Sequence, residues 1–248
     1  MSFPCLTRES LIPTITTRLK KMSLVYWILL GAIIITVGLL IFANLKQLLP
    51  LQKTCACLTL PLIGSFIILW LTKYLPDSYH LIIISIIAIS LVTISTAFLA
   101  FEKITLLRIL GRTASIANIV CWSILYRAIF RIHSVPFWLY ILAGCLYTGV
   151  IIASCIFVGI HNAKHYALFI LSFLTAAYLH FCSLIFLCWE RSGSAVMLFA
   201  GATLLTGLVA FHFINHTKLK MKHAGGIRYI LIVVSQTLIA CSNILIIR

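Results

Sequence analysis

The chain has 248 residues, 62% of them hydrophobic and 9% charged, and its mean hydropathy is +1.16. Soluble domains carry about 25% charged residues, so the solvent here has to be lipid, and the short polar connectors leave no room for a separate soluble domain. The net charge of +15 does not point to nucleic acid, because the 19 basic residues are dispersed between apolar runs without an aromatic-interleaved patch; such flanks suit anionic lipid headgroups.

Residues 1–22 form a basic lead with Arg8, Arg18, Lys20, Lys21 and a single acid, Glu9. Leu11, Ile12, Ile15 and Leu19 share one helical face, so the lead is either a short interfacial helix or a disordered tail. A cleaved signal peptide is not expected, since the next apolar run has full spanning length and no small-residue cleavage site. That run, Ser23 to Asn44, has no charge and no proline. At about 1.5 Å per residue it covers the roughly 30 Å of bilayer hydrocarbon.

Further spans are predicted at 54–72, 80–101, 113–130, 137–160, 166–188, 195–214 and 227–247. The second holds Pro61, tolerated as a kink, and the third is rich in Ser and Thr (Ser85, Ser90, Thr93, Ser95, Thr96). The expected fold is therefore all-α: a polytopic transmembrane bundle of about eight spans, one domain over 23–248, with no strand pattern. Basic residues nearly balance across the two ends, so orientation is undetermined. A start at Met22 would remove four bases and place both termini outside the cytoplasm. The expected location is a bacterial inner (plasma) membrane.

The nine cysteines are scattered and odd in number, which speaks for small packing residues and against a disulfide framework. Only four acids occur, Glu9, Asp77, Glu102 and Glu190, and none falls within a span. Glu102 and Glu190 lie at span ends, within reach of water. They either pair with Lys103 and Arg191 or act as general acids at a cavity mouth, and they are the candidate catalytic residues. Asn118 and Gln236 fit interhelical hydrogen-bond glue. No phosphate-binding glycine loop, nucleophile elbow or redox CxxC occurs.

Two histidine pairs have i, i+4 spacing, His161/His165 and His212/His216, and such a pair on one helix face can hold a metal. The first straddles a turn. The second closes the seventh span, with His180 as a third ligand, and resembles the late HxxxH pair of metal-dependent seven-span hydrolases of the ceramidase and progestin-receptor type. Those families also need an intramembrane aspartate, which is absent. Interfacial histidines near headgroups are the competing reading.

Five local features resemble the YhhN family of integral membrane proteins, which includes the lysoplasmalogenases. Lys53 opens the second span, and Ser90-Leu91 lies in a Ser-rich third span. Gly201-Ala202-Thr203-Leu204-Leu205 is similar to the family's GAxLF, and Gln236-Thr237-Leu238-Ile239-Ala240 to its QxLIA. Tyr126 fits the tyrosine of its HxxY element. The resemblance covers most of 23–248 and implies vinyl-ether hydrolysis of a lysophospholipid: protonation at the enol carbon, then water attack on the cation. Three positions depart from the pattern. The family's first aspartate falls near Ile94-Ser95, its second near Leu208-Val209, and its histidine at Ser123. The resemblance therefore implies either that Glu102 and Glu190 supply the acid or that the site is catalytically degraded.

The substrate-contacting candidates are Tyr126, His180, His212 and Gln236. Membrane lipids are the expected partners, and no cofactor and no metal are assigned. A non-enzymatic membrane protein, either a small-solute or lipid transporter or an assembly partner, is the rival class. A transporter would show inverted repeats and broken helices around a polar midplane site.

Overall fold

The computed structural model describes residues 24–74, 79–101, 103–130, 136–158, 163–190, 192–217 and 224–245, without the side chains of 128–130, 154–155, 157–158, 163–166 and 213–217. These residues form eight helices: α1 (Leu24–Leu45), α2 (Leu49–Tyr74), α3 (Tyr79–Ala100), α4 (Thr105–Phe130), α5 (Phe137–Val158), α6 (Ala163–Glu190), α7 (Gly193–Thr217) and α8 (Ala224–Leu245). Seven are long and apolar enough to cross a bilayer, and α5 is apolar over Phe137–Ala153. This is a multi-pass helical membrane bundle. The basic lead, Asp77 and Glu102 lie outside the described residues.

Two helix starts differ most from the sequence expectation: α2 begins at Leu49 rather than near 54, and α4 differs more. Helix α4 begins at Thr105 rather than near 113, taking Arg108 and Arg112 into its first turns. Hydropathy alone excludes such residues from a span, but their long apolar stems let them ride at the end of a helix.

Consecutive helices alternate in direction. One end of the bundle gathers the starts of α1, α3, α5 and α7 with the finishes of α2, α4, α6 and α8; it is termed the Glu190 end. The opposite end carries Arg228. Packing runs α2 to α3, α4, α6, α7 and α8, then back to α2, closing a six-helix ring. Helix α1 lies outside this ring against α2 and α8, and α5 leans on α6. Outward side chains such as Ile34 and Ile35 (both 63% exposed) and Ile156 (76%) face what the bilayer would fill.

Lipid is as apolar as leucine, so helices in it associate through close packing and hydrogen bonds. Both are visible. Trp122, Tyr126, Ile67, Leu179, Leu198 and Ile239 are sealed inside the ring. Where α7 crosses α8, a Cβ on Gly201 would come within 2.8 Å of the Ile239 side chain and 3.0 Å of the Ser235 carbonyl oxygen, so only glycine permits that approach. At the Glu190 end the Tyr26 hydroxyl donates to the Leu69 carbonyl at 2.9 Å, and its ring meets Phe66 edge-on at 5.8 Å, tying α1 to α2.

The turns follow capping chemistry. Helix α1 ends in a Schellman motif: Leu48 N–H reaches the Ala43 carbonyl, Gln47 N–H reaches that of Asn44, and Gln47 adopts φ 56°. Ser192 caps α7, its side-chain oxygen accepting from the Ala195 N–H at 3.2 Å.

Candidate functional site

The polar interior is built on two ring helices, α4 and α8, which run in the same direction. Trp122 on α4 can only donate, so its indole N–H fixes which end of the Gln236 amide is oxygen: Nε1 to Oε1 is 2.9 Å. That choice turns the Gln236 NH2 toward Asn118 Oδ1 at 3.0 Å. Asn118 in turn must present its own NH2 elsewhere, and it donates to the Ala88 carbonyl of α3 at 2.7 Å. Asn118, Trp122 and Gln236 are all buried. One indole thus orients two amides across three helices.

About two turns closer to the Glu190 end, the Tyr126 hydroxyl donates to the Ile239 carbonyl at 2.5 Å and meets the Ser242 hydroxyl. Ser242 offers its carbonyl to Ser194 Oγ at 2.9 Å, bringing in α7. Tyr126 and Gln236, two of the sequence candidates, therefore lie on one seam. They hold helices together, and both are buried.

His180 stands apart from that seam. It lies about ten residues, or roughly 15 Å, from the Glu190 end of α6, close to the bilayer midplane. Thr203 on α7 already donates to the Phe199 carbonyl at 2.8 Å, so it accepts from His180 Nε2–H at 3.1 Å. Nδ1 then accepts from the Tyr147 hydroxyl of α5 at 2.5 Å. Both ring nitrogens are thus used, and the ring lies 5.1 Å from that of Phe199.

His212 is engaged differently. A nitrogen of the Arg112 guanidinium lies 3.3 Å from Nε2, and a guanidinium only donates, so Nε2 is the acceptor. A fixed positive charge at that distance opposes a dication on the same nitrogen. Among the described residues no three His, Cys, Asp or Glu side chains gather as a metal would require. The side chains of His165 and His216, and all of His161, lie outside the described residues.

No family model, curated protein or solved structure matches this chain. The site has to be judged on its own geometry.

Glu190 is the last residue of α6, exposed beside Trp189, which is itself 68% exposed. Tryptophan in that position is typical of the headgroup border. The α3–α4 junction lies at the opposite end of the bundle, because α3 and α6 run antiparallel. Candidates at the two ends would serve separate interfaces, on opposite sides of the hydrocarbon.

Sequence reasoning missed Trp122, Tyr147 and Thr203. An aromatic or a threonine in an apolar run carries no signal of its partner. Only the tertiary arrangement shows Trp122 as the donor that orders Gln236, and Tyr147 as the hydroxyl that fixes α5 to His180.

Proposed function

We propose that this protein is a YhhN-like bundle of a bacterial inner membrane that engages single-chain ether phospholipids, with lysoplasmalogen vinyl-ether hydrolysis as its nominal activity. One observation carries the reading. Segments far apart in sequence that bear the family resemblance are neighbours in space: Tyr126 bonds to the Ile239 carbonyl inside the Gln236–Ala240 run, and Gly201 packs on Ile239 and Ser235. Lys53, in the second turn of α2, donates to the Ala100 carbonyl at 2.5 Å, joining α2 to the Ser-rich α3.

In that chemistry a carboxylic acid protonates the enol carbon, and water adds to the oxocarbenium ion. The hemiacetal then breaks down to an aldehyde and a glycerophospho-alcohol. The vinyl ether of such a lipid sits beside its glycerol, at headgroup depth. Glu190 at the end of α6 suits that depth; Glu102, outside the described residues, is the other candidate acid. Basic flanks would hold the phosphate.

Purified protein in vesicles, given a plasmenyl lysophospholipid, should release a long-chain aldehyde. Glu190→Gln should reduce that release by about 100-fold or more if Glu190 is the general acid. Unchanged release in Glu190→Gln and in Glu102→Gln would remove both residues from the role.

A second reading, a non-enzymatic membrane protein, has its own observation. The hydrogen-bonded seam of α4 and α8 contains no carboxylate among the described residues, so it has no strong proton donor at depth. Absence of aldehyde release from folded protein would select it.

A further inference from the structure

Among the buried serine, asparagine and glutamine side chains of α8, Asn243 is the exception. Ser235, Gln236 and Ser242 each bond to a named group. Asn243 is 0% exposed, yet neither its Oδ1 nor its Nδ2 has a partner. An amide stripped of water with nothing in exchange costs about 2–7 kcal/mol, and native proteins almost always satisfy such groups.

Position narrows what could satisfy it. Asn243 lies two turns beyond Gln236 on nearly the same face of α8, so it faces the ring interior. It is also within the last turn of α8, close to the Glu190 interface. The hydroxyl protons nearby are committed: Tyr126 donates to the Ile239 carbonyl, Ser242 to the Tyr126 oxygen, and Ser194 to the Ser242 carbonyl. A partner for Asn243 must both donate to Oδ1 and accept from Nδ2, and must be small enough for a sealed interior. Water meets all three conditions, and buried waters commonly serve groups of this kind.

We propose that Asn243 binds an internal water that exchanges with the aqueous phase at the Glu190 end of the ring. The site does not depend on the hydrolysis proposed above, since an inert bundle would need the same water to bury this amide.

The test compares two side-chain amides in one molecule. Full-length protein with 15N-labelled asparagine is reconstituted in bilayers, and water-to-amide magnetisation transfer and deuterium exchange are followed by solid-state NMR. The Asn243 signal is assigned by its loss in Asn243→Leu, or by its loss in Asn243→Gln should the first variant not fold. The expected result is rapid transfer from water to Nδ2 of Asn243 and complete deuteration there before Asn118 begins to exchange. A dry Asn243 amide, exchanging as slowly as Asn118, would overturn the proposal. So would a through-space signal showing its NH2 on a protein carbonyl.

Discussion

The ring interior and the outer helix α5 solve the same problem in opposite ways. Between α4 and α8, an indole, two amides and a tyrosine form consecutive hydrogen bonds, all inside buried side chains. Among the described side chains, helix α5 shows one comparable attachment, Tyr147 to His180, beside a small apolar cluster of Ile151, Phe169, Phe173 and Ala177. Its glycines, Gly144 and Gly149, touch nothing within 4 Å of where a Cβ would sit. Redundant bonds make the ring a single unit, whereas a helix held at one polar point can leave at the cost of that point. Stability in this bundle is therefore uneven, greatest at the centre and least at α5.

That contrast can be broken at its strongest point first. Gly201→Val should separate α7 from α8 and lower stability by about 3 kcal/mol, because backbone atoms of α8 occupy the space a side chain needs. Unfolding in mixed micelles, read against the wild type, measures it. A loss below about 0.5 kcal/mol would mean the crossing is not as close as described.

Next comes the seam. Gln236→Leu strands the Trp122 N–H and one Asn118 oxygen in an apolar interior, with an expected loss of about 1–3 kcal/mol. In a double-mutant cycle, Trp122→Phe combined with Gln236→Leu should cost less than the two single changes added, since the pair removes donor and acceptor together. Additive losses would show that the two residues do not act on each other.

The clip on α5 should be weaker. Tyr147→Phe keeps the ring and removes one hydroxyl, for an expected loss of about 0.5–1.5 kcal/mol. The sharper readout is local: amide exchange should rise across α5 and remain unchanged in α4 and α8. Uniform change throughout the bundle would contradict the unevenness described above. Smallest of all, Gly144→Ala in α5 should alter stability by less than about 0.5 kcal/mol, because the added methyl meets open space.

Much of the architecture could be anticipated from apolar run length. Predicted spans at 80–101 and 137–160 correspond closely to α3 and α5. The start of α4 could not, because Arg108 and Arg112 lower hydropathy without preventing a helix. Among candidate residues, Asn118 and Gln236 were legible as glue from their rarity in lipid-soluble segments. Their partners were not, since Trp122 and the Ala88 carbonyl have nothing in the local sequence to mark them. His212 illustrates the same limit: its spacing with His216 suggested a metal pair, and the fold set it beside Arg112.

Composition and the length of each apolar run by themselves determined that the chain crosses a membrane repeatedly as helices, because a backbone in hydrocarbon must satisfy its hydrogen bonds within each segment. Which helices close the ring, which amide faces which donor, and which polar group is left wanting a partner were decided only by the tertiary structure. Those choices depend on side chains that meet across more than a hundred residues of sequence, as Trp122 meets Gln236 at a separation of 114. No local pattern encodes contacts of that range.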